Sequence, residues 1–234
     1  VRERRAGEPL VNMHLFANRA FTLQNINILL IQLAMAGVMI LMPFFLEFVK
    51  RLPTDNAGTV LLALPIGMIL TSPIAGRIAD AAGTKKPILA GFVICTIALL
   101  LLSTMNQQTS IGHVAIYLFL LGAGTGVAYA PLNSAVMGES PVKDRGMTSG
   151  LIKMMTNLGS SLGVALSMLV AGAAIGPRLA QEATRTLVPA ELAVGFDVAF
   201  LFLMFVELLG LVLMLAVKER ENPYSTEGEP VTAF

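Results

Sequence analysis

The sequence predicts an all-α membrane protein, a bundle of about six transmembrane helices. Three observations carry this. Hydrophobic residues make up 55% of the 234 residues and charged residues 13%, with a mean hydropathy of +0.75, whereas a soluble domain carries about 25% charged residues. The few charges are also bunched: residues 21–46, 56–76, 87–138 and 154–177 contain no Asp, Glu, Lys or Arg. Each run reaches the length of about 20 apolar residues that crosses a hydrocarbon core about 30 Å thick. Finally, the runs are continuous rather than alternating, so the backbone satisfies its own polar groups as helices and not as barrel strands. A water-soluble enzyme is excluded.

The elements follow in order. Spans are expected near residues 23–48, 57–77, 87–105, 113–137, 147–175 and 197–217. Pro53-Thr54-Asp55-Asn56 separates the first two. The longest charge-free run must turn once, and Asn106-Gln107-Gln108-Thr109-Ser110 is its polar break. Ser140-Pro141 reads as a helix start, a capping residue followed by proline, and Gly176-Pro177 ends the fifth span. Residues 178–195 are polar enough for a surface segment, such as a short interfacial helix. Residues 1–20 then form an N-terminal linker, 21–217 the six-span bundle and 218–234 a C-terminal tail.

Lys and Arg set the orientation. With six spans, both tails share one side with the loops at 77–86 and 138–146. That side holds Arg2, Arg4, Arg5, Arg19, Arg77, Lys85, Lys86, Lys143, Arg145, Lys218 and Arg220, and the other only Lys50, Arg51, Arg178 and Arg185. Basic excess marks the cytoplasm, so a multi-pass plasma-membrane protein with both termini cytoplasmic is expected, the lipid bilayer being its solvent. The net charge of +1 gives no reason to expect nucleic acid. Cys95, the one cysteine, lies in the third span and has no disulfide partner in the chain. His14 and His113 show no zinc-ligand spacing, and neither a glycine-rich phosphate loop nor a nucleophile elbow is present. No enzyme and no cofactor are therefore expected. The chain opens on Val1 and the basic run Arg2-Glu3-Arg4-Arg5, and reads as a piece of a longer polypeptide.

Gly76-Arg77-Ile78-Ala79-Asp80-Ala81-Ala82-Gly83-Thr84-Lys85-Lys86 resembles the cytoplasmic loop motif of the major facilitator superfamily. That motif runs glycine, basic, apolar, small, aspartate, basic, any, glycine, basic, basic; here Ala81 and Thr84 stand at two of its basic positions. His14-Leu15-Phe16-Ala17-Asn18-Arg19-Ala20-Phe21 resembles the lead into the second half of that superfamily's fourteen-span drug:proton antiporters. Asp144-Arg145-Gly146-Met147-Thr148-Ser149-Gly150-Leu151, with Gly159 and Gly163 after it, resembles the start of their penultimate helix. That helix often carries a basic residue where Thr156 stands here, and Lys153 is one turn earlier. The resemblance runs from Leu10 to Val217. It implies two inverted three-helix repeats, half of a major facilitator fold, with an N-terminal partner half outside the chain. It also implies that Gly76, Arg77, Asp80, Gly83, Lys85 and Lys86 form a cytoplasmic gate, with Asp80 capping the positive end of a helix in the opposite half. The alternative is a solvated loop obeying the positive-inside rule, and Arg77 and Asp80 are spaced to pair across one helical turn.

Face periodicity supplies pathway candidates. Asn25 and Gln32 share a face of the first span, continued by Met35 and Met39. Gly122, Thr125, Tyr129 and Asn133 form a stripe on the fourth, and Lys153, Asn157, Ser160 and Ser167 one on the fifth. The candidates are Gln32, Thr125, Tyr129, Asn133, Lys153 and Asn157. Small polar residues of this kind also join helices to one another, and Gly122/Gly126 and Gly159/Gly163 have the spacing of such packing seams. Glu207, at the middle of the last span, is accompanied only by apolar residues and Gly210; a protonated group bonded to an adjacent helix fits it better than a pathway position. Glu47 is expected at a wetted rim.

These readings converge on the C-terminal half of a secondary transporter. It would export small, drug-like molecules by alternating access, drawing on the about 2.3 kcal/mol that one proton releases across about 100 mV. Small-molecule substrate and protons are the implied partners, and the proton-linked acids resemble ones in the other half. The alternatives are a half-size transporter working as a dimer and a membrane assembly or scaffold subunit without transport activity.

Overall fold

A computed structural model describes residues 17–175 and 189–217. Six long helical spans cover Arg19–Val49, Thr54–Ala82, Lys85–Leu102, Ile111–Gly138, Val142–Ile175 and Pro189–Leu215. No strand occurs among the described residues. The expected N-terminal linker up to residue 16, including His14, lies outside them, as do residues 176–188 and the tail from 218.

Local chemistry sets the helix ends. The Asn18 side-chain oxygen accepts from the Ala20 N–H at 3.0 Å and caps the first span. Pro43 removes the bond that the Met39 carbonyl would accept, and the helix finishes as a π-helical turn, Phe45–Val49. The second span stops at Gly83, which takes φ 85°, the left-handed region open to glycine. At the polar break, Asn106 Oδ1 accepts from the N–H groups of Gln108 and Thr109 at 2.9 and 3.0 Å, an Asx turn. Ser110 then caps the fourth span.

Three boundaries differ from expectation. The second span runs on to Ala82, so Arg77 and Asp80 stand on a helix and only Gly83-Thr84 connect to the third. Ser140-Pro141 leads first into a short 3-10 turn, Val142–Asp144, before the helix from Arg145. Residues 189–195, expected at the surface, are the first two turns of the last helix; Ala193, Gly195 and Phe196 there are buried against the bundle.

The spans pack mostly across the two halves of the chain. The two broadest interfaces join the second span to the fourth and the first to the fifth. Exchanging spans one to three with spans four to six turns each of these interfaces into the other, which is the signature of two inverted three-helix repeats. Both are close backbone approaches at glycine. A Cβ on Gly122 would overlap the Leu64 carbonyl, and one on Gly126 would meet the Met68 carbonyl and the Thr71 hydroxyl. Likewise Gly159 lies on the Leu29 carbonyl and Gly163 on that of Leu33. The expected seams are therefore where the repeats join.

Two apolar clusters fill the bundle. One holds Phe45, Leu99, Phe196, Phe200 and Leu203 toward the Lys50 end, with Phe45 and Phe196 edge to face at 5.7 Å. The other holds Phe21, Ile28, Phe92, Leu132 and Met214 toward the Arg19 end. Exposed large side chains of the third and last spans, such as Val93, Ile97, Phe205, Leu209 and Leu215, are apolar, as a lipid-facing surface requires.

Candidate substrate wall and gate motif

Polar side chains in these spans fall into two sets, one turned outward and one turned in. The outward set lies on the fourth and fifth spans. Lys153, Asn157 and Ser161 are exposed on the fifth, Ser134 is exposed on the fourth, and Tyr129 and Asn133 are half-buried beside them. Tyr129 and Thr156 place their hydroxyls 3.2 Å apart, joining the two spans at this face. Asn133 donates back to the Tyr129 carbonyl at 2.8 Å, and its side-chain oxygen has no hydrogen-bond partner among the described residues. The first span completes the wall through Gln32, half-buried next to Gly159, one turn from Thr156. Met35, Met39 and Glu47 continue that side toward the Lys50 end, Glu47 half-buried in the π-helical turn. Five of the six pathway candidates, Gln32, Tyr129, Asn133, Lys153 and Asn157, thus lie near one another.

Thr125 does not join them. It is 1% exposed, donates to the Leu121 carbonyl at 2.9 Å, and lies 3.7 Å from Cys95 Sγ on the third span. Fourth-span residues 125 and 129 share a helical face in sequence, but the fourth span is wedged against both second and third spans, so its stripe divides between packing and open surface. Asn25 and Ser167 depart from their stripes too: both are buried, and the Ser167 hydroxyl, like the Leu203 side chain, lies against Gly37.

The inward polar set was only partly legible. Gln24, Asn27 and Glu207 are all buried, and Gln24 Oε1, Asn27 Oδ1 and Glu207 Oε2 have no hydrogen-bond partner among the described residues. Nothing in the sequence marks Gln24 and Asn27, because a lone amide in an apolar run gives no periodic signal. Glu207 was expected to be bonded to an adjacent helix; it faces protein as expected, but its Oε2 is unpaired.

At the gate motif, Arg77, Asp80 and Lys86 are exposed, while Gly76, Gly83 and Lys85 are half-buried. Arg77 and Asp80 form no ion pair with each other. Lys85 instead donates to the Val217 carbonyl at 2.5 Å, tying the motif to the end of the last span. Nearby, Asn18 Nδ2 donates to Glu139 Oε2 at 2.6 Å, and the Ser140 and Thr148 hydroxyls are 2.7 Å apart. At the opposite end Lys50 donates to the carbonyls of Gln107 (2.8 Å) and Thr109. Partial burial there holds its ammonium below the usual lysine pKa.

Comparison with known proteins agrees with this architecture. A proton-dependent oligopeptide transporter of known structure superposes with a TM-score of 0.72 at 19% identity, over 89% of this chain and 44% of that one. The riboflavin transporter RibZ of Clostridioides difficile is 30% identical over 165 residues, 70% of this chain and 36% of its own length. The multidrug transporter MdtP of Bacillus subtilis is 28% identical over 80% of this chain and 34% of its own length. The lincomycin resistance protein LmrB of Listeria monocytogenes is 26% identical over 91% of this chain and 45% of its own length. The chain therefore spans between about a third and just under half of the length of these relatives. The sequence profile described as Major Facilitator Superfamily matches residues 21–233, and with six spans in inverted repeats the chain belongs to that family of multi-pass membrane proteins.

Proposed function

We propose that this chain is one half of a proton-coupled secondary transporter that exports small, drug-like molecules by alternating access, a second six-span half completing the pathway. The observation that carries this is the outward polar face: neutral amides, a phenol, a hydroxyl and one lysine gather from the first, fourth and fifth spans, whereas the last span exposes only apolar side chains between Val198 and Leu215. Polar groups at membrane depth belong against protein or water. The relatives named for multidrug transport, lincomycin resistance and riboflavin transport support a transporter of small organic molecules, and the drug-transport and resistance names favour export.

In this reading Gln32, Tyr129, Asn133, Lys153 and Asn157 line the substrate path, with Met35 and Met39 offering adaptable, polarisable surface. Thr125 is left to helix packing. The Arg19 end faces the cytoplasm of the cell, and Gly76, Arg77, Asp80, Gly83, Lys85 and Lys86 form the cytoplasmic gate. The exposed Asp80 is available to a helix end in the other half, which would hold the cytoplasmic side shut. The test is transport by the intact transporter in proteoliposomes under an imposed proton gradient. Tyr129→Phe and Lys153→Gln should change substrate affinity or selectivity severalfold at unchanged protein density. Unaltered kinetics in both variants for every transported compound would remove the wall from the pathway.

A further inference from the structure

The outward polar wall carries charge of one sign only. Lys153 is exposed on the fifth span and makes no ion pair among the described residues. No Asp or Glu occurs in the first span from Arg19 to Phe44, in the fourth from Ile111 to Gly138, or in the fifth from Arg145 to Ile175. Gly159 lies on the Leu29 carbonyl and Gly163 on that of Leu33, so the first and fifth spans run side by side with Lys153 level with Leu23. Glu47, in the π-helical turn that ends the first span, is then about 36 Å further along at about 1.5 Å per residue. At the near end, Glu139 accepts from the Asn18 amide. Asp144 stands ahead of the fifth span between Lys143 and Arg145, both of which are exposed.

The surroundings of Lys153 describe its ligand further. Toward Arg145, the same helical face carries only Gly146, Ser149 and Gly150. A methyl added to either glycine would meet nothing within 4 Å. The ammonium is therefore open to approach from the end of the span. In the other direction Asn157 continues its face, exposed, and Leu158 and Leu162 border it, 45% and 43% exposed. Tyr129 lies on the opposite border, its hydroxyl 3.2 Å from that of Thr156. A flat organic body can lie against the leucines and the phenol while its acid group reaches the ammonium, a compact charge with three donors. A cationic ligand finds no countercharge on this face. We propose that the wall selects organic anions, Lys153 being the specificity-determining residue that pairs with the carboxylate or phenolate of the substrate. This rests on the wall lining the substrate path and adds to that reading the sign of the substrate's charge.

The test uses two xanthene dyes of one tricyclic shape and opposite charge, the anion fluorescein and the cation rhodamine 123. Their equilibrium binding is measured by fluorescence anisotropy on the intact transporter in lipid nanodiscs. Fluorescein should bind about tenfold more tightly than rhodamine 123, which corresponds to about 1.4 kcal/mol. Lys153→Gln should weaken fluorescein binding about tenfold and leave that of rhodamine 123 unchanged, while Lys153→Arg keeps the preference. Tighter binding of rhodamine 123, binding of neither dye, or equal loss of both in Lys153→Gln overturns the inference. Equal loss is the result expected of a lysine paired with an acid in the other half. Tyr129→Phe separates this failure from failure of the wall itself. If Tyr129→Phe shifts dye binding but Lys153→Gln does not discriminate between the dyes, only the charge selection falls. If both variants bind both dyes as wild type does, the wall is not the path and the two readings fall together.

Discussion

Asp80 and Lys153 are both exposed charged residues, yet the setting of each predicts a different kind of failure. Asp80 stands exposed on the last turns of the second span, without an ion pair to Arg77 or to any other described residue. A carboxylate at a helix end contributes up to about 2 kcal/mol in a partly buried setting, enough to shift a conformational equilibrium roughly 30-fold. Asp80→Asn in the intact transporter should therefore depress transport strongly with membrane abundance unchanged; wild-type transport would reduce it to a topology signal. Lys153 shares the outward face with Asn157, so Lys153→Gln should alter affinity while Glu207→Gln leaves the pH profile of transport unmoved. The converse pair of results would put the proton-coupling residue on the last span. Sequence alone separated these two because Lys153 has polar neighbours at helical spacing and Glu207 has none. It could not separate Thr125 from Tyr129, one turn apart on the same span. Which arc of a helix is covered depends on how its neighbours cross it, and no residue pattern within that helix records this.

For single elements, the breaks at Pro53 and at Asn106–Ser110 were readable, whereas the helix start read at Ser140-Pro141 and the exact lengths were not. Pro53, the Asn106 turn and Gly83 stop or start helices where they stand, but hydropathy sees only the apolar stretch. The hydrogen-bond ladder runs past it to the next breaker, as the second span does to Ala82. The glycine spacings carried more information: they mark the seams between repeats. This gives a test with a change of sign. Gly163→Ala forces a methyl into the Leu33 carbonyl, whereas the same change at Gly172 meets nothing within 4 Å. Overpacking costs about 1–3 kcal/mol, while Gly to Ala in an open helical site gains up to about 1 kcal/mol. Thermal unfolding of the purified transporter in detergent should show Gly163→Ala melting lower than wild type and Gly172→Ala at or above it. Equal melting temperatures would mean that the first and fifth spans are not in backbone contact.

For the molecule as a whole, the span count and the basic asymmetry followed from composition, because lipid admits few backbone solutions. Orientation remains open to direct measurement. A cysteine at Gln108 should react with an impermeant thiol reagent added outside intact cells, as should one at position 182, and a cysteine at Thr84 should not. Labelling at Thr84 from outside would invert the proposed topology. The exchange of partners between repeats was not readable from the sequence, since pairing of the second span with the fourth and the first with the fifth is a property of the assembled bundle.

That exchange of partners bears on biosynthesis. A ribosome delivers the first three spans before any of the helices on which the first and second make their broad contacts. Until the fourth emerges, Gly67 has no Phe119 backbone to lie on; until the fifth emerges, Leu29 and Leu33 have no glycines. The nascent first repeat is thus a set of inserted helices with few contacts among themselves. A chain released after residue 105 should be degraded rapidly in the membrane. Supplying residues 106–234 as a separate polypeptide should rescue it, because the joint between the two pieces is the interface itself. Equal lifetimes of the short chain with and without its complement would show that the first repeat holds itself together.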